Sequence, residues 1–124
     1  MHKIETTSFN WLPYKTNRDT VIKNLYRLSG RVVDLGCGTA PYKDDIIRAG
    51  CEYIGVDWEN SLHDQKDVDV KCDICSTLPF EDGFADTVVS FQVMEHLPKP
   101  MKFLEECARI LRPGGSLFIT VPFQ

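Results

Sequence analysis

Four acidic residues and one glycine turn carry the chemistry that this sequence displays. Asp34 lies inside an apolar run, directly ahead of Gly36-Cys37-Gly38. Asp57 lies at the end of a second apolar run, "EYIGVDW", with Glu59 just after it, and Asp73-Ile74 closes a third, "DVKCDI". Glycine lets a backbone approach a ligand closely and take φ values that other residues avoid. A carboxylate at the end of a second strand can accept both hydrogen bonds of a ribose diol. An acid beside an apolar residue suits an adenine: Asp73 would accept from the exocyclic amine and Ile74 would pack on the ring. A carboxylate in an apolar run needs partners or a nearby cation. For Asp34 two readings stand: an ammonium met directly or through water, or the backbone N–H groups of the turn that follows. Taken singly, each feature also fits a ligand-free turn or a solvated loop aspartate.

The same residues argue against a diphosphate. The third position of the dinucleotide fingerprint should be Gly or Ala for close helix packing, and counting from Gly36 that place is Pro41. No Lys or Arg lies in the turn. A site lined by Asp34, Asp57, Glu59 and Asp73 favours a ligand with a diol, an amine and positive charge.

The elements that must position these groups alternate along the chain. Thr16 or Asn17 can cap a helix running to about Leu28, ended by Ser29-Gly30. "RVVDLG" reads as a buried strand. A helix follows over Tyr42 to Ala49, with Pro41 at its first position and its free N–H groups turned back on the glycines. "EYIGVDW", "DVKCDI", "TVVSFQV" and "SLFITVPF" read as further strands. "FEDGFAD" is a turn. "KPMKFLEECARIL" is an amphipathic helix with Met101, Leu104, Ala108 and Leu111 on one face, stopped by "RPGG". Apolar strands alternating with helices imply an α/β fold, a parallel sheet covered on both faces. Ligands of such sheets sit beyond the C-terminal strand ends, where strand order reverses.

Bulk properties narrow the class. The chain has 124 residues, 43% hydrophobic and 26% charged, with net charge −4 and no basic run, so a nucleic-acid duplex is an unsuitable partner. The N-terminus lacks the apolar segment of a signal peptide, and no apolar run reaches the length of a membrane span. A cytoplasmic protein with reduced thiols is expected, since its five cysteines are an odd number without an export signal. Cys72-x-x-Cys75 lacks the second ligand pair of a zinc site and the helix of a redox motif. His2 and His63 have no constellation around them.

The residues named above resemble the class I S-adenosylmethionine-dependent methyltransferases. "VVDLGCGTAPY" looks like their first motif and "YIGVDW" like the second. "CDICSTLPFEDGFADTVVSFQVMEHL" is similar to the stretch that carries the adenine contact, the fourth strand and the substrate-side loop. "ARILRPGGSLFITVP" looks like the turn and fifth strand after the helix. The resemblance runs from about Arg31 to Pro122 and is nearest to the group acting on small metabolites, lipids, quinones and sugars. It implies a Rossmann-like sheet in the order 3-2-1-4-5, within a single domain over 1–124 whose core is 31–124. It also implies that S-adenosylmethionine is the cofactor, S-adenosylhomocysteine the product, and a small-molecule, lipid or sugar acceptor the partner. Gly36, Cys37 and Gly38 would line the methionine end, with Asp34 assisting its ammonium. Asp57 and Trp58 would hold and flank ribose and adenine, Asp73 and Ile74 would contact adenine, and Phe91, Gln92 and Val93 would form the floor near the sulfonium. Glu95 and His96 are the candidates for a general base, and the catalytic assignment stays open. An NAD-dependent oxidoreductase half and a non-catalytic nucleoside-binding scaffold are the alternatives.

The family usually continues past the fifth strand with a helix and an antiparallel strand pair, and those are absent here. "SLFITVPF" is therefore expected at a sheet edge, where unpaired strands invite association. Three accounts fit: a piece of a longer protein, which is favoured; a compact variant; or a homodimer through that edge. Asn10 to Tyr14, "NWLPY", is expected either to close over the acceptor site or to pack on the sheet edge.

Overall fold

The structure, a computed structural model, describes residues 9–12 (by their backbone), 18–58, 65–91 and 93–120. Its elements run β1 (Phe9–Leu12), α1 (Arg18–Asn24) with a 3-10 turn over Leu25–Arg27, β2 (Arg31–Leu35), α2 (Lys43–Arg48), β3 (Glu52–Asp57), β4 (Val70–Lys71), β5 (Ala85–Phe91), a 3-10 turn over Met94–His96, α3 (Pro100–Ile110) and β6 (Leu111–Thr120). The described strands form one sheet in the order β1-β6-β5-β2-β3-β4, every pair parallel. Dropping β1 leaves β4-β3-β2-β5-β6, which is the expected order 3-2-1-4-5. The reversal of direction lies between β2 and β5, at the glycine turn.

β1 corrects the expected edge. Phe9–Leu12 pairs in parallel with Leu117–Thr120 of β6, so the fifth strand of the core is not an open edge here, and a second copy could not pair with it while β1 is in place. Part of the "NWLPY" segment thus lies on the sheet; Pro13 and Tyr14 fall outside the described residues. Other boundaries move too: α1 ends at Asn24 before its 3-10 turn, and the "DVKCDI" strand shortens to Val70–Lys71. α2 begins at Lys43 with Tyr42 as its N-cap, leaving Pro41 in the turn. "RPGG" does not separate α3 from its strand: it is a bulge within β6, where pairing jumps from Ala85↔Leu111 to Thr87↔Ser116 and Gly114 takes φ 81°.

Period-2 alternation splits the strands into two cores. On one face Val33, Leu35, Val88, Leu117 and Ile119 pack with Phe103, Cys107 and Ile110 of α3. On the other Val32, Val89 and Phe118 pack with Ile46 of α2, Ala40 and Tyr53. The expected face of α3 meets the sheet only in part: Ala108 and Leu111 are buried and Leu104 packs against the core, but Met101 is 66% exposed, and Phe103, Cys107 and Ile110, also spaced i, i+4, i+7, are fully buried. The larger apolar volume of Phe103 and Ile110 decides which stripe meets the sheet.

A buried carboxylate ties α3 to the loop ahead of β5. Glu106, 4% exposed, accepts the Leu78 N–H at 2.7 Å and two Arg109 N–H groups at 2.8 and 2.9 Å. The Arg109 hydrogen bonds hold its carboxyl below the usual range. Arg109 also donates to the carbonyls of Leu78 and Phe80. Glu106→Ala leaves these donors without their acceptor, and urea unfolding should show a loss of about 3–5 kcal/mol.

Candidate functional site

The glycine turn is held by the end of the neighbouring strand. Gly36, Gly38 and Ala40 take φ of 79°, 58° and 57°, in a chain whose intervening residues stay at negative φ. Such alternation turns successive N–H groups toward one side, a concavity that can cradle an anion. Here β3 fills it. The N–H groups of Gly36 and Cys37 both donate to the Val56 carbonyl, at 2.7 and 3.0 Å. The Gly38 N–H donates to Oδ2 of Asp57 at 3.1 Å, and the Trp58 N–H to Oδ1 at 2.9 Å. Glycine is required at 36 for a second reason: a Cβ there would fall 2.7 Å from Cγ2 of Val93. Val93 therefore roofs the turn directly.

Asp34 does not bond the turn's amides; Val56 and Asp57 have taken them. It is 2% exposed, and its Oδ2 accepts the Tyr53 hydroxyl at 2.6 Å. Its Oδ1 has no donor among the described residues. Burial pushes the Asp34 carboxyl up to about 7, with the Asp57 charge adding and the Tyr53 hydrogen bond opposing. Beside it, burial and the charges of Asp34 and Asp57 push the Cys37 thiol up to about 12, so this cysteine is a protonated, unreactive wall. Burial and Asp34 push the Tyr53 hydroxyl up as well.

The other expected residues keep exposed or half-buried side chains at or just after the ends of β3, β4 and β5, with two exceptions. Trp58, at the end of β3, is 54% exposed, an aromatic surface standing beside the ribose candidate Asp57. Asp73 is exposed, and one of its carboxylate oxygens accepts the Cys75 N–H at 2.8 Å. Phe91 ends β5 and meets the Tyr42 ring edge-on at 5.1 Å. Ile74 is the first exception: its side chain is 7% exposed within the α3-side core, so it is not poised to lie on a ring. Its N–H, next to Asp73, has no partner among the described residues. Gln92 is the second, because it lies outside the described residues, as do Glu59, His2 and His63. Glu95 and His96 form a contact of 3.4 Å on the turn after β5, with the His96 side chain 78% exposed. Cys72 and Cys75 are free thiols, and among the described residues no group of three His, Cys, Asp or Glu could hold a metal ion. No described helix is long and apolar enough to cross a membrane.

Sequence reasoning missed Tyr53. Only part of the signal lay in the sequence: Tyr53, Gly55 and Asp57 alternate along one strand and so share a face, while the pairing of Asp34 with Gly55 belongs to the sheet register.

A doubly wound parallel sheet with acids at three consecutive strand ends, arranged around a glycine turn, defines a Rossmann-like nucleoside-binding class. Comparison with known proteins gives the family. Residues 33–119 match the family described as "Methyltransferase domain", and the chain belongs to that family. It is 36% identical over 103 residues to a "Probable S-adenosylmethionine-dependent methyltransferase" of Mycolicibacterium smegmatis, covering 78% of this chain and 40% of that protein. It is 31% identical over 98 residues to the ubiquinone biosynthesis O-methyltransferase of Parvibaculum lavamentivorans, covering 72% of this chain and 39% of that one. The chain thus spans less than half the length of these relatives. Among solved structures, the PH0226 protein of Pyrococcus horikoshii superposes with a TM-score of 0.68 at 24% identity, over 82% of this chain and 50% of that one. The [4+2]-cyclase SpnF does so with a TM-score of 0.65 at 22% identity, over 86% and 49%; both likenesses concern the fold.

The buried acid makes stability depend on pH. Asp34 has a pKa near 3.8 when unfolded and about 7 when folded, so the ligand-free native state binds the extra proton. Its stabilising effect is fully present below about pH 4 and is lost as pH rises through 7. Between about pH 5 and about pH 8 the free energy of unfolding should fall by roughly 2–3 kcal/mol from this group. Asp34→Asn should remove that slope in urea titrations at the two pH values.

Proposed function

We propose that this chain is the S-adenosylmethionine-binding core of a methyltransferase that acts on a small-molecule acceptor, with the binding residues in 31–124. The observation that carries the reading is the buried Oδ1 of Asp34 beside the glycine turn, without a donor among the described residues, with Asp57 and Asp73 at the next strand ends. A carboxylate oxygen without a donor in an apolar setting is costly, and a ligand's ammonium would satisfy it. The turn's amides, by contrast, are already occupied by Val56 and Asp57, which leaves little for a diphosphate and speaks against a dinucleotide.

The residues fit the ligand end by end. Gly36, Cys37 and Gly38 present backbone to the amino-acid tail, and Asp34 meets its ammonium. Asp57 accepts from the ribose diol with the lone pairs not used by Gly38 and Trp58. Trp58 covers one side of the nucleoside. Asp73 accepts from the adenine amine, while the Ile74 N–H, rather than its side chain, donates to the ring. Phe91, at the end of β5, and Val93, over Gly36, line the pocket near the sulfonium. Bound S-adenosylmethionine supplies a methyl carbon activated by its sulfonium. The protein's part is then to orient, and holding two reactants in line is worth on the order of 7–11 kcal/mol. Glu95 and His96, on the turn after β5, are the candidates to take a proton if the acceptor is a hydroxyl. The small-molecule acceptor is favoured by the relation to a ubiquinone biosynthesis O-methyltransferase.

Isothermal titration should show micromolar-range binding of S-adenosylmethionine and S-adenosylhomocysteine and none of NAD. Tighter binding of NAD would sink the reading. Asp57→Ala should weaken S-adenosylhomocysteine by about 1–3 kcal/mol, because an ionised acceptor of two hydrogen bonds is lost and the turn loses its Gly38 anchor.

A further inference from the structure

We propose that Tyr53 is a positioning residue for the cationic amino-acid end of the ligand, acting through Asp34. This deepens the cofactor reading above and rests on it. The register makes the arrangement. Asp34 lies opposite Gly55 and Val32 opposite Tyr53, so Tyr53 is the diagonal neighbour of Asp34 on one face of the sheet, within reach of a long side chain. Gly55 leaves the space between them open. A Cβ at 55 would fall 3.1 Å from Cε1 of Tyr53 and 3.0 Å from Sγ of Cys37. The tyrosine ring therefore leans along β3 over Gly55, walled by Cys37, and delivers its hydroxyl to Oδ2 at 2.6 Å.

That single bond divides the two oxygens of Asp34. Oδ2 is spent on Tyr53, and Oδ1 is the buried oxygen left for a ligand. Among the described residues no cation faces the carboxyl from any element packed against it: the titratable groups around it are Tyr53 and Asp57 of β3 and Cys37 of the turn, with Asp69 beyond Cys37. The carboxyl therefore holds a proton near neutrality in the free protein. An arriving ammonium supplies the missing positive charge and favours the ionised form, so ligand binding expels that proton. The Tyr53 hydrogen bond lowers the cost of ionisation. Removing it should raise the pH at which Asp34 becomes ready for the ammonium.

Two probes separate this from a general packing role: S-adenosylhomocysteine, which has the amino-acid end, and 5′-methylthioadenosine, which has the same nucleoside without it. Titrations of the 124-residue chain between about pH 5.5 and 7.5 should show S-adenosylhomocysteine affinity rising several-fold with pH and methylthioadenosine affinity staying flat. In Tyr53→Phe the rise should move to higher pH, with S-adenosylhomocysteine weakened roughly fivefold or more at pH 6.5 and methylthioadenosine within about twofold of the parent. In Asp34→Asn the pH dependence should vanish. If Tyr53→Phe leaves the pH dependence in place, or weakens both probes equally, the inference is overturned while the cofactor reading stands. If the parent chain binds neither probe, both fall.

Discussion

Everything at this site depends on how the C-terminal end of β3 grips the turn that follows β2. One carbonyl, Val56, takes two turn amides, and one carboxylate, Asp57, takes a third. Three N–H groups that could have formed an anion cradle are thereby satisfied within the protein. The left-handed φ values at Gly36 and Gly38 make this geometry attainable, and Val93 closes over Gly36 where no side chain would fit. Affinity for an anionic end is exchanged for a rigid turn, and the charge that remains is negative.

The negative charge is managed differently at each strand end. Asp57 keeps its hydrogen bonds to backbone and stays part-exposed. Asp73 caps its own turn through Cys75 at the surface. Asp34 is drawn into the sheet and relies on a single phenol. A neutral carboxylic acid in the free protein can thus become a carboxylate when a cation arrives, which couples proton release to recognition. Away from the site the sheet uses charge for construction. Asp86 accepts the Arg31 N–H at 2.7 Å and Arg112 Nε at 2.6 Å, fastening the start of β2 to the bulge of β6. Glu106 and Arg109 fasten α3 to the loop before β5.

The family's sheet order and the extra strand have different origins. The order β4-β3-β2-β5-β6 is the one the family resemblance implied; strands alternating with helices and the handedness of parallel crossovers narrow the topologies to a few without choosing among them. β1 instead comes from a segment with no periodicity to mark it, and it acquires its role only when β6 offers an edge. A [4+2]-cyclase shares this fold at 22% identity; a fold by itself does not name a reaction, and side chains at the strand ends must.

The sequence by itself determined the fold class and put Asp34, Asp57 and Asp73 in or just after consecutive strands, because two-residue and helical periodicities are local and carry burial with them; the strand order of the core was implied only by the resemblance to the methyltransferase family. It also pointed away from a diphosphate through Pro41 and the missing basic residues. Tertiary structure alone decided three things. The β2–β3 register placed Tyr53 diagonally across Gly55 from Asp34, a contact between residues 19 apart in the chain. Burial put the Ile74 side chain in the core and left only its backbone N–H for the site. And β6, once in place, recruited Phe9–Leu12 to its edge. Each of these depends on which strand lies beside which and in what register, and a pattern of apolar and polar residues read along one chain does not contain that information.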